Sequence, residues 1–141
     1  MIQADAAARN ARIQMDLHDD LPAVRGDVVQ LQQVALNLIV NALEALGPDE
    51  SMPRLITVTS GRGPDGVCIW VSDTGTGIGK QPAERLFEHF FTTKTNGLGL
   101  GLSISRSIVE AHRGKMGASA NPVRGATFFF SLPAATAEKT D

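Results

Sequence analysis

The sequence predicts an α/β fold, a two-layer sandwich in which a mixed, largely antiparallel sheet packs against about three helices. Two observations predict it. Segments rich in β-formers occur as neighbouring pairs over 54–73 and 114–133, and turn residues join the members of each pair. Segments with apolar residues at helical spacing, 28–46 and 101–112, alternate with those pairs.

The bulk composition is that of one globular domain. The chain has 141 residues, is 43% hydrophobic and carries a net charge of −2. No apolar stretch reaches the roughly 20 residues of a membrane-spanning helix, and the N-terminus has no signal-peptide pattern. We therefore expect a cytoplasmic domain over 13–133 that contacts no membrane and, without a basic run, no nucleic acid. Residues 1–12 are predicted to be the end of a connecting helix or linker, and 134–141 a polar tail.

The first half of the chain has clear start and stop signals. "RIQMDL" (12–17) alternates like a strand and is followed by a turn at "HDDLP". Asp27, with Gln30 three residues later, predicts the N-terminus of a helix over 28–46, which Gly47 and Pro48 end. The single cysteine, Cys68, lies in the apolar run "VCIWV" and is expected to be a core residue.

In the second half, the sequence predicts two strand pairs and two further helices. "RLITVTSG" and "GVCIWVSD" are neighbouring strands joined by "GRGPDG", and "GKMGASA" and "GATFFFSLP" form a final pair with a turn at "NPVRG". A short helix is predicted from Pro82 to Phe87, a loop over 88–100, and a helix over 101–112.

The long helix carries a narrow polar stripe. At about 100° per residue, four polar side chains fall within roughly 40° of Asn37, and the segment 28–46 contains no Lys or Arg. These side chains are Gln30, Gln33, Asn41 and Glu44. An exposed polar face is one interpretation, although such a face usually mixes charges of both signs. The alternative is a row of oxygen donors suited to Mg²⁺.

A carboxylate stands where a hydrophobic strand ends. Asp73 closes "VCIWVSD" and is followed by Gly75, Gly77 and Gly79. "DTG" alone is a good turn sequence. Three alternating glycines exceed what a turn requires, so the second interpretation is a backbone that approaches a flat ligand while Asp73 accepts a hydrogen bond from it.

Glycine also alternates with leucine in "TNGLGLGLSIS" (95–105). A strand with Gly97, Gly99 and Gly101 at every second position would pack poorly. The pattern is better explained by a loop that leads into a helix N-terminus, where unpaired N–H groups favour an anion. The spacing of neither a dinucleotide-binding fold nor a P-loop occurs in the chain.

Four segments in fixed order resemble one family. They are "NLIVNALEA" from Asn37, "DTGTGIG" from Asp73, "LFEHFFTTK" and "GLGLGLSI" from Gly97. They are similar to the N, G1, F and G2 boxes of the ATP-binding catalytic domain of sensor histidine kinases, nearest the nitrogen-regulatory and oxygen-sensing branch. The resemblance covers about 13–133 and implies a Bergerat-type sandwich that binds ATP and Mg²⁺.

The resemblance also implies roles for individual residues. At the base, Asp73 would accept from the adenine amino group, Gly77 and Thr127 would help through water, and Ile78 would pack on the ring. Asn41 would bind Mg²⁺ beside Asn37, with Glu44, where many relatives carry Lys or Arg, ordering Mg²⁺-bound water. Lys94 would contact the phosphates, and so would the backbone of Gly99, Leu100, Gly101 and Leu102. Gly75 and Gly97 would also belong to the site, and Gly97 would be the hinge of a lid.

The activity implied by the resemblance is transfer of the γ-phosphate to a protein histidine. In gyrase-like relatives the position of Asn37 holds a glutamate that activates water, and an amide cannot act as that base. His18, His89 and His112 do not fit the phosphoacceptor, so a separate dimerisation domain would carry it and a response regulator would act downstream. A non-catalytic nucleotide-sensing module and a gyrase-like ATPase remain the alternatives. Arg113 departs from the family pattern, since glycine is common there.

Overall fold

The computed structural model describes residues 11–46, 53–64, 66–75, 99–122 and 124–135. The described chain forms five strands and two helices in one α/β arrangement. In chain order they are β1 (Arg12–Asp16), α1 (Val28–Ala45), β2 (Leu55–Arg62), β3 (Gly66–Asp73), α2 (Gly99–Ala111), β4 (Lys115–Ala120) and β5 (Ala126–Pro133).

The five strands form one mixed sheet in the order β1-β2-β3-β5-β4. β1 pairs with β2 in parallel, whereas the other three pairings are antiparallel. β3 lies at the centre, and its last residue, Asp73, is opposite Ile56 of β2. The predicted fold class, a mixed and largely antiparallel sheet with helices, is confirmed.

The predicted elements that fall on described residues agree with the observed ones except at one boundary. The second helix begins at Gly99, so the predicted loop over 88–100 is wrong at its last two residues, which form the first helical turn. Because glycine has a low helix propensity, the sequence pattern predicted a later start for this helix. The third predicted helix, Pro82 to Phe87, lies outside the described residues, and so do most of the predicted linker and tail. The predicted domain boundaries therefore stay predictions.

The N-terminus of α1 is capped as the sequence predicts. Asp27 is the N-cap residue, and its Oδ1 accepts a hydrogen bond from the Gln30 backbone N–H at 3.1 Å. This bond satisfies one of the amides that the first turn cannot pair internally. The cap fixes the residue at which α1 begins.

The core lies between the helices and one face of the sheet. Alternate residues of β5 (Ala126, Phe128, Phe130 and Leu132) are buried on this face and belong to one hydrophobic cluster with buried residues of α1 that include Val34, Leu38 and Ala42. Burying one Leu or Phe side chain contributes about 1.5–3 kcal/mol. The same face of β3 ends with Asp73, so the carboxylate of Asp73 lies on the core side of the sheet.

The two helices run antiparallel to each other. Asn37 of α1 donates from Nδ2 to Ser105 Oγ of α2 at 2.9 Å. Ten residues earlier, Asp27 N donates to Nε2 of His112, just beyond the end of α2. The start of α2 therefore lies toward the end of α1, because Gly99 precedes Ser105 by six residues, about 9 Å of helix.

Candidate functional site

Asp73 is a carboxylate buried at the end of the central strand. Asp73 is only 1% exposed to solvent. Oδ1 accepts hydrogen bonds from the backbone N–H of Gly75 at 2.8 Å and of Ala126 at 3.4 Å. Two amides from different parts of the chain thus hold the carboxyl group in one orientation. A carboxylate can accept about four hydrogen bonds, so this anchoring is compatible with recognition of an amine.

Gly75 brings the segment after β3 against the end of α1. A Cβ atom at position 75 would collide with the carbonyl oxygen of Ala45 and lie 3.0 Å from Leu46 N. Only glycine allows this approach of two backbones. Thr74 secures the same exit, because its Oγ1 donates to Pro53 O at 2.7 Å and accepts from Leu55 N at 3.0 Å. "DTG" is therefore a structural turn that also helps to fix the orientation of the Asp73 side chain.

The turn between β4 and β5 contacts Asp73 from the other side, which the sequence did not indicate. Gly125 has a φ of +90°, and a Cβ there would collide with the Asp73 carbonyl oxygen. Asn121 donates from Nδ2 to that same carbonyl at 3.0 Å, and Arg124 donates from Nε to Thr74 O at 2.9 Å. These contacts join residues about 50 positions apart, so no local sequence pattern could have revealed them.

Thr127 lies on the opposite face of the sheet from the Asp73 carboxylate. It pairs with Ser72, and the two hydroxyl oxygens are 3.1 Å apart, which places both side chains on one face. Successive residues of a strand point to opposite faces, so Asp73 points to the other. The predicted role for Thr127, helping Asp73 bind adenine through water, does not agree with this placement. The neighbour that reaches the carboxylate is Ala126, through its amide.

The polar stripe of α1 divides into two parts. Asn37 accepts from Gln33 Nε2 at 2.8 Å and donates to Ser105, so it connects the two helices. Asn41 is 9% exposed and lies one turn closer to the end of α1. Glu44, half-buried, follows three residues later. The stripe is not an ordinary exposed face, since its later members are withdrawn from solvent.

The predicted phosphate-binding backbone forms the first turn of α2. Gly99, Leu100, Gly101 and Leu102 are helical, and Leu102 packs partly against the core. The first four N–H groups of a helix have no partner within it and carry the positive end of the helix dipole. Because the helices are antiparallel, this turn lies toward the end of α1 that Gly75 contacts. The structure thus places the base and phosphate candidates at one end of α1.

Four predicted site residues lie outside the described part of the chain. They are Gly77, Ile78, Lys94 and Gly97. His89 lies outside it as well. Their predicted roles stay predictions.

The donor set determines which metal could bind. Within the ranges that the structure describes, no three His, Cys, Asp or Glu side chains come together as a metal site. Asn41 supplies an amide oxygen, a hard ligand of the kind that Mg²⁺ accepts when phosphate oxygens and water complete its shell. The residues present fit Mg²⁺ held jointly with a nucleotide.

A family model described as "Histidine kinase-, DNA gyrase B-, and HSP90-like ATPase" matches residues 26–136. The chain belongs to this ATPase family. The match includes α1, Asp73, the first turn of α2 and the β4–β5 turn, so every described part of the site lies within it. The resemblance predicted from the four sequence motifs is confirmed.

Within the family, the similar proteins are sensor histidine kinases. The sensor protein FixL of Bradyrhizobium diazoefficiens is 46% identical over 132 residues, which are 94% of this chain and 26% of FixL. The catalytic domain of histidine kinase ThkA superposes with a TM-score of 0.80 at 34% identity, covering 94% of this chain and 85% of that domain. ThkA is also known in complex with response regulator protein TrrA, with a TM-score of 0.77 at 31% identity, covering 95% of this chain and 37% of that one.

A third relative is known with a nucleotide analogue. Full-length ShkA in complex with AMPPNP has a TM-score of 0.81 at 29% identity, covering 96% of this chain and 28% of ShkA. The chain spans 14% to 28% of the length of curated relatives such as FixL and the sensor histidine kinases TmoS and ZraS. In the parts of this chain that the structure describes, neither helix has the length and apolar character needed to cross a bilayer.

Proposed function

We propose that this domain binds ATP with Mg²⁺ and presents the γ-phosphate to a histidine on a separate dimerisation domain, as the catalytic half of a sensor histidine kinase. The observation that carries the proposal is Asp73, a buried carboxylate fixed by two backbone amides at the same end of α1 as the N-terminus of α2. A hydrogen-bond acceptor and an anion site at one helix end match the two ends of a nucleotide.

At the base end, Asp73 accepts a hydrogen bond from the exocyclic amino group of adenine. Burial strengthens this bond, because few water molecules compete for the carboxylate. The glycine backbone at position 75 keeps the exit of β3 against α1 and leaves the carboxylate at the end of this central strand. The site should therefore select adenine over a base with a carbonyl at that position, because the carbonyl oxygen would face the carboxylate.

At the phosphate end, the amides of Gly99 to Leu102 receive phosphate oxygens, and the positive end of the α2 dipole stabilises their charge. Asn41 holds Mg²⁺ through its amide oxygen. When bound, Mg²⁺ neutralises the charge on the phosphates. The chain's own part is to position the γ-phosphate, since phosphoryl transfer needs few covalent groups from the protein.

Transfer is favoured over hydrolysis by the chemistry of α1. Asn37 is an amide whose Nδ2 and Oδ1 are both in hydrogen bonds, to Ser105 and from Gln33. An amide cannot take a proton from water at neutral pH. Of the two described histidines, His112 makes hydrogen bonds through both ring nitrogens, and His18 is an exposed residue after β1. In the proposed function the acceptor histidine belongs to a separate dimerisation domain, and a response regulator takes the phosphoryl group from it.

Calorimetry on an Asp73→Asn variant tests the nucleotide site. Asparagine keeps an oxygen for the Gly75 and Ala126 amides, so the variant should fold. Loss of one hydrogen bond to a charged group costs about 1.5–3 kcal/mol, or roughly ten- to a hundred-fold in affinity for ATP with Mg²⁺. Asp19→Asn makes the same charge change at an exposed position and should bind as the wild type does. Unaltered binding by Asp73→Asn would refute the assignment.

Phosphotransfer separates the proposed kinase from its alternatives. The domain is mixed with a helical hairpin that carries a phosphoacceptor histidine, together with γ-labelled ATP. Labelled phosphohistidine on the hairpin supports the kinase. Binding without transfer would support a nucleotide-sensing module, and steady-state release of phosphate by the domain alone would support a gyrase-like ATPase.

A further inference from the structure

A closed hydrogen-bonded network lies behind Asp73, on the face of the sheet away from the helices. Thr127 Oγ1 donates to Asn121 Oδ1 at 2.6 Å. Asn121 Nδ2 donates to Ser72 Oγ at 3.1 Å and to the Asp73 carbonyl at 3.0 Å. The hydroxyl oxygens of Ser72 and Thr127 are 3.1 Å apart. The network connects β3, β5 and the turn that precedes β5.

The donors and acceptors around Asn121 allow only one orientation of its side-chain amide. Its amide nitrogen has two N–H groups, and each has its own acceptor, Ser72 Oγ and Asp73 O. Thr127 has one hydroxyl proton, and the 2.6 Å contact with Asn121 Oδ1, an oxygen that can only accept, takes it. A flipped amide would place an oxygen against the Asp73 carbonyl. The side chain is therefore fixed by three partners.

The same turn reaches Asp73 a second time through its backbone. Asn121 N donates to Gly125 O at 2.9 Å, which closes the turn. Gly125 then lies directly against the Asp73 carbonyl, and the next residue, Ala126, donates its amide to Asp73 Oδ1. One end of the turn holds the main chain of Asp73, and the other end holds its carboxylate.

We propose that Asn121 is a positioning residue that sets the strength with which Asp73 recognises the amino group of adenine. The proposal rests on the function proposed above. Hydrogen-bond strength falls steeply with misalignment, so a carboxylate held at both its main chain and its side chain discriminates better than one held only at the side chain. Asn121 itself lies behind the strand and reaches adenine only through Asp73.

A purely structural role for Asn121 predicts a different result. If the side chain only fastened the hairpin, its loss would weaken the binding of every nucleotide by the same factor. If it positions Asp73, its loss reduces only the part of the affinity that comes from the amino group. The ratio of two affinities, for ATP and for an analogue without that group, separates the two roles.

The experiment measures dissociation constants for ATP and for purine riboside triphosphate, which lacks the 6-amino group, by calorimetry with Mg²⁺. The wild type should prefer ATP by about ten- to a hundred-fold. Asn121→Ala should reduce this preference several-fold and leave the analogue's affinity within about twofold. Asn121→Asp, which still accepts from Thr127 but cannot donate to Asp73 O, should lose at least as much preference. Ser119→Ala, an exposed change on the same hairpin, should retain it.

Equal losses for ATP and the analogue, or an unchanged preference, would overturn the proposal. Thr127→Val keeps the β5 backbone and removes the hydroxyl that orients Asn121. It should therefore reduce the preference for ATP as well, by a smaller factor. This variant tests the proposal if Asn121→Ala does not fold. If the wild type itself shows no preference, the assignment of Asp73 fails. If Asp73→Asn loses the preference and the Asn121 variants keep it, only the role of Asn121 fails.

Discussion

His112 joins the end of α2 to the start of α1. Its Nε2 accepts a hydrogen bond from the Asp27 backbone N–H at 3.0 Å, and its Nδ1 lies 2.8 Å from Ile108 O. The two contacts require a neutral ring with its proton on Nδ1. Asp27 is also the N-cap of α1, so one imidazole fixes the end of one helix against the cap of the other.

Replacing His112 by Ala should therefore destabilise the fold. The Asp27 amide loses its acceptor and Ile108 O loses a donor, which together cost about 1–2 kcal/mol in the free energy of unfolding. Urea titration followed by circular dichroism measures the change. His18→Ala is the matched control, because the described hydrogen bond of His18 uses its backbone N–H. Equal stability of the two variants would contradict the role of His112.

Arg113 holds a backbone conformation that favours glycine. α2 ends in a Schellman motif, in which Gly114 N donates to Val109 O and Arg113 N donates to Glu110 O, both at 2.9 Å. Arg113 has a φ of +65°. A residue with a Cβ pays about 1–2 kcal/mol in this conformation.

Arg113→Gly should therefore stabilise the domain by about 1 kcal/mol, a little less than the full strain because glycine also gains entropy in the unfolded chain. Arg113→Ala removes the same charge but keeps the Cβ, so it should leave the melting temperature nearly unchanged. Thermal unfolding of both variants decides the matter. A similar gain for Ala and Gly would assign the effect to charge instead of backbone conformation.

Cys68 makes stability sensitive to alkaline pH. The residue is 5% exposed, and desolvation by burial raises the pKa of its thiol above 9.0, against a smaller lowering by a hydrogen bond from the Ile69 backbone. Above the pKa of the unfolded chain, the unfolded state loses this proton and the folded state keeps it. The stability contributed by the thiol is therefore complete below pH 9 and is lost as the pH rises through the folded pKa.

Between pH 8 and pH 10.5, the urea midpoint of the wild type should fall further than that of Cys68→Ala. The chain contains no tyrosine, which removes one group that would titrate in this range. The native thiol should also react slowly with a thiol reagent at pH 8 and rapidly in urea. Rapid native labelling, or equal pH dependence of the two proteins, would contradict the burial argument.

The features that the sequence predicted correctly depend on local signals. The Asp27 cap, the period of α1 and the exit of β3 at Asp73 each involve residues within a few positions of one another. The face occupied by Thr127 has a local signal as well. In "ATFFFSLP" one set of alternate residues is entirely apolar, whereas Thr127 and Ser131 share the other face, so the period-two pattern points Ala126 toward the helices and Thr127 away from them. The role predicted for Thr127 came from the family resemblance and did not take this pattern into account.

The support around Asp73, by contrast, could not be predicted. Asn121 and Gly125 reach Asp73 because β5 inserts between β3 and β4, and this strand order is not readable from the order of elements along the chain. "NPVRG" predicts a turn, and the turn is observed, but its partner depends on strand register. The sequence thus identified the carboxylate and missed what holds it.

The bond between Asn37 and Ser105 allows a test of whether Asn37 also contacts nucleotide. Ser105 is 0% exposed and meets Asn37 at 2.9 Å. Asn37→Ala and Ser105→Ala both break this bond, so they should lower stability by similar amounts, about 1 kcal/mol each, and a double-mutant cycle should show that the two losses do not add. Only Asn37→Ala removes a side chain from the proposed nucleotide site.

We therefore expect Asn37→Ala to weaken the binding of ATP with Mg²⁺ about tenfold or more, and Ser105→Ala to change it by less than about threefold. Calorimetry at a temperature where both variants are fully folded measures this difference without interference from stability. Equal affinities of the two variants would mean that Asn37 serves only to hold α2 against α1. The proposed phosphate-binding turn would then depend on Asn37 only through the position of α2.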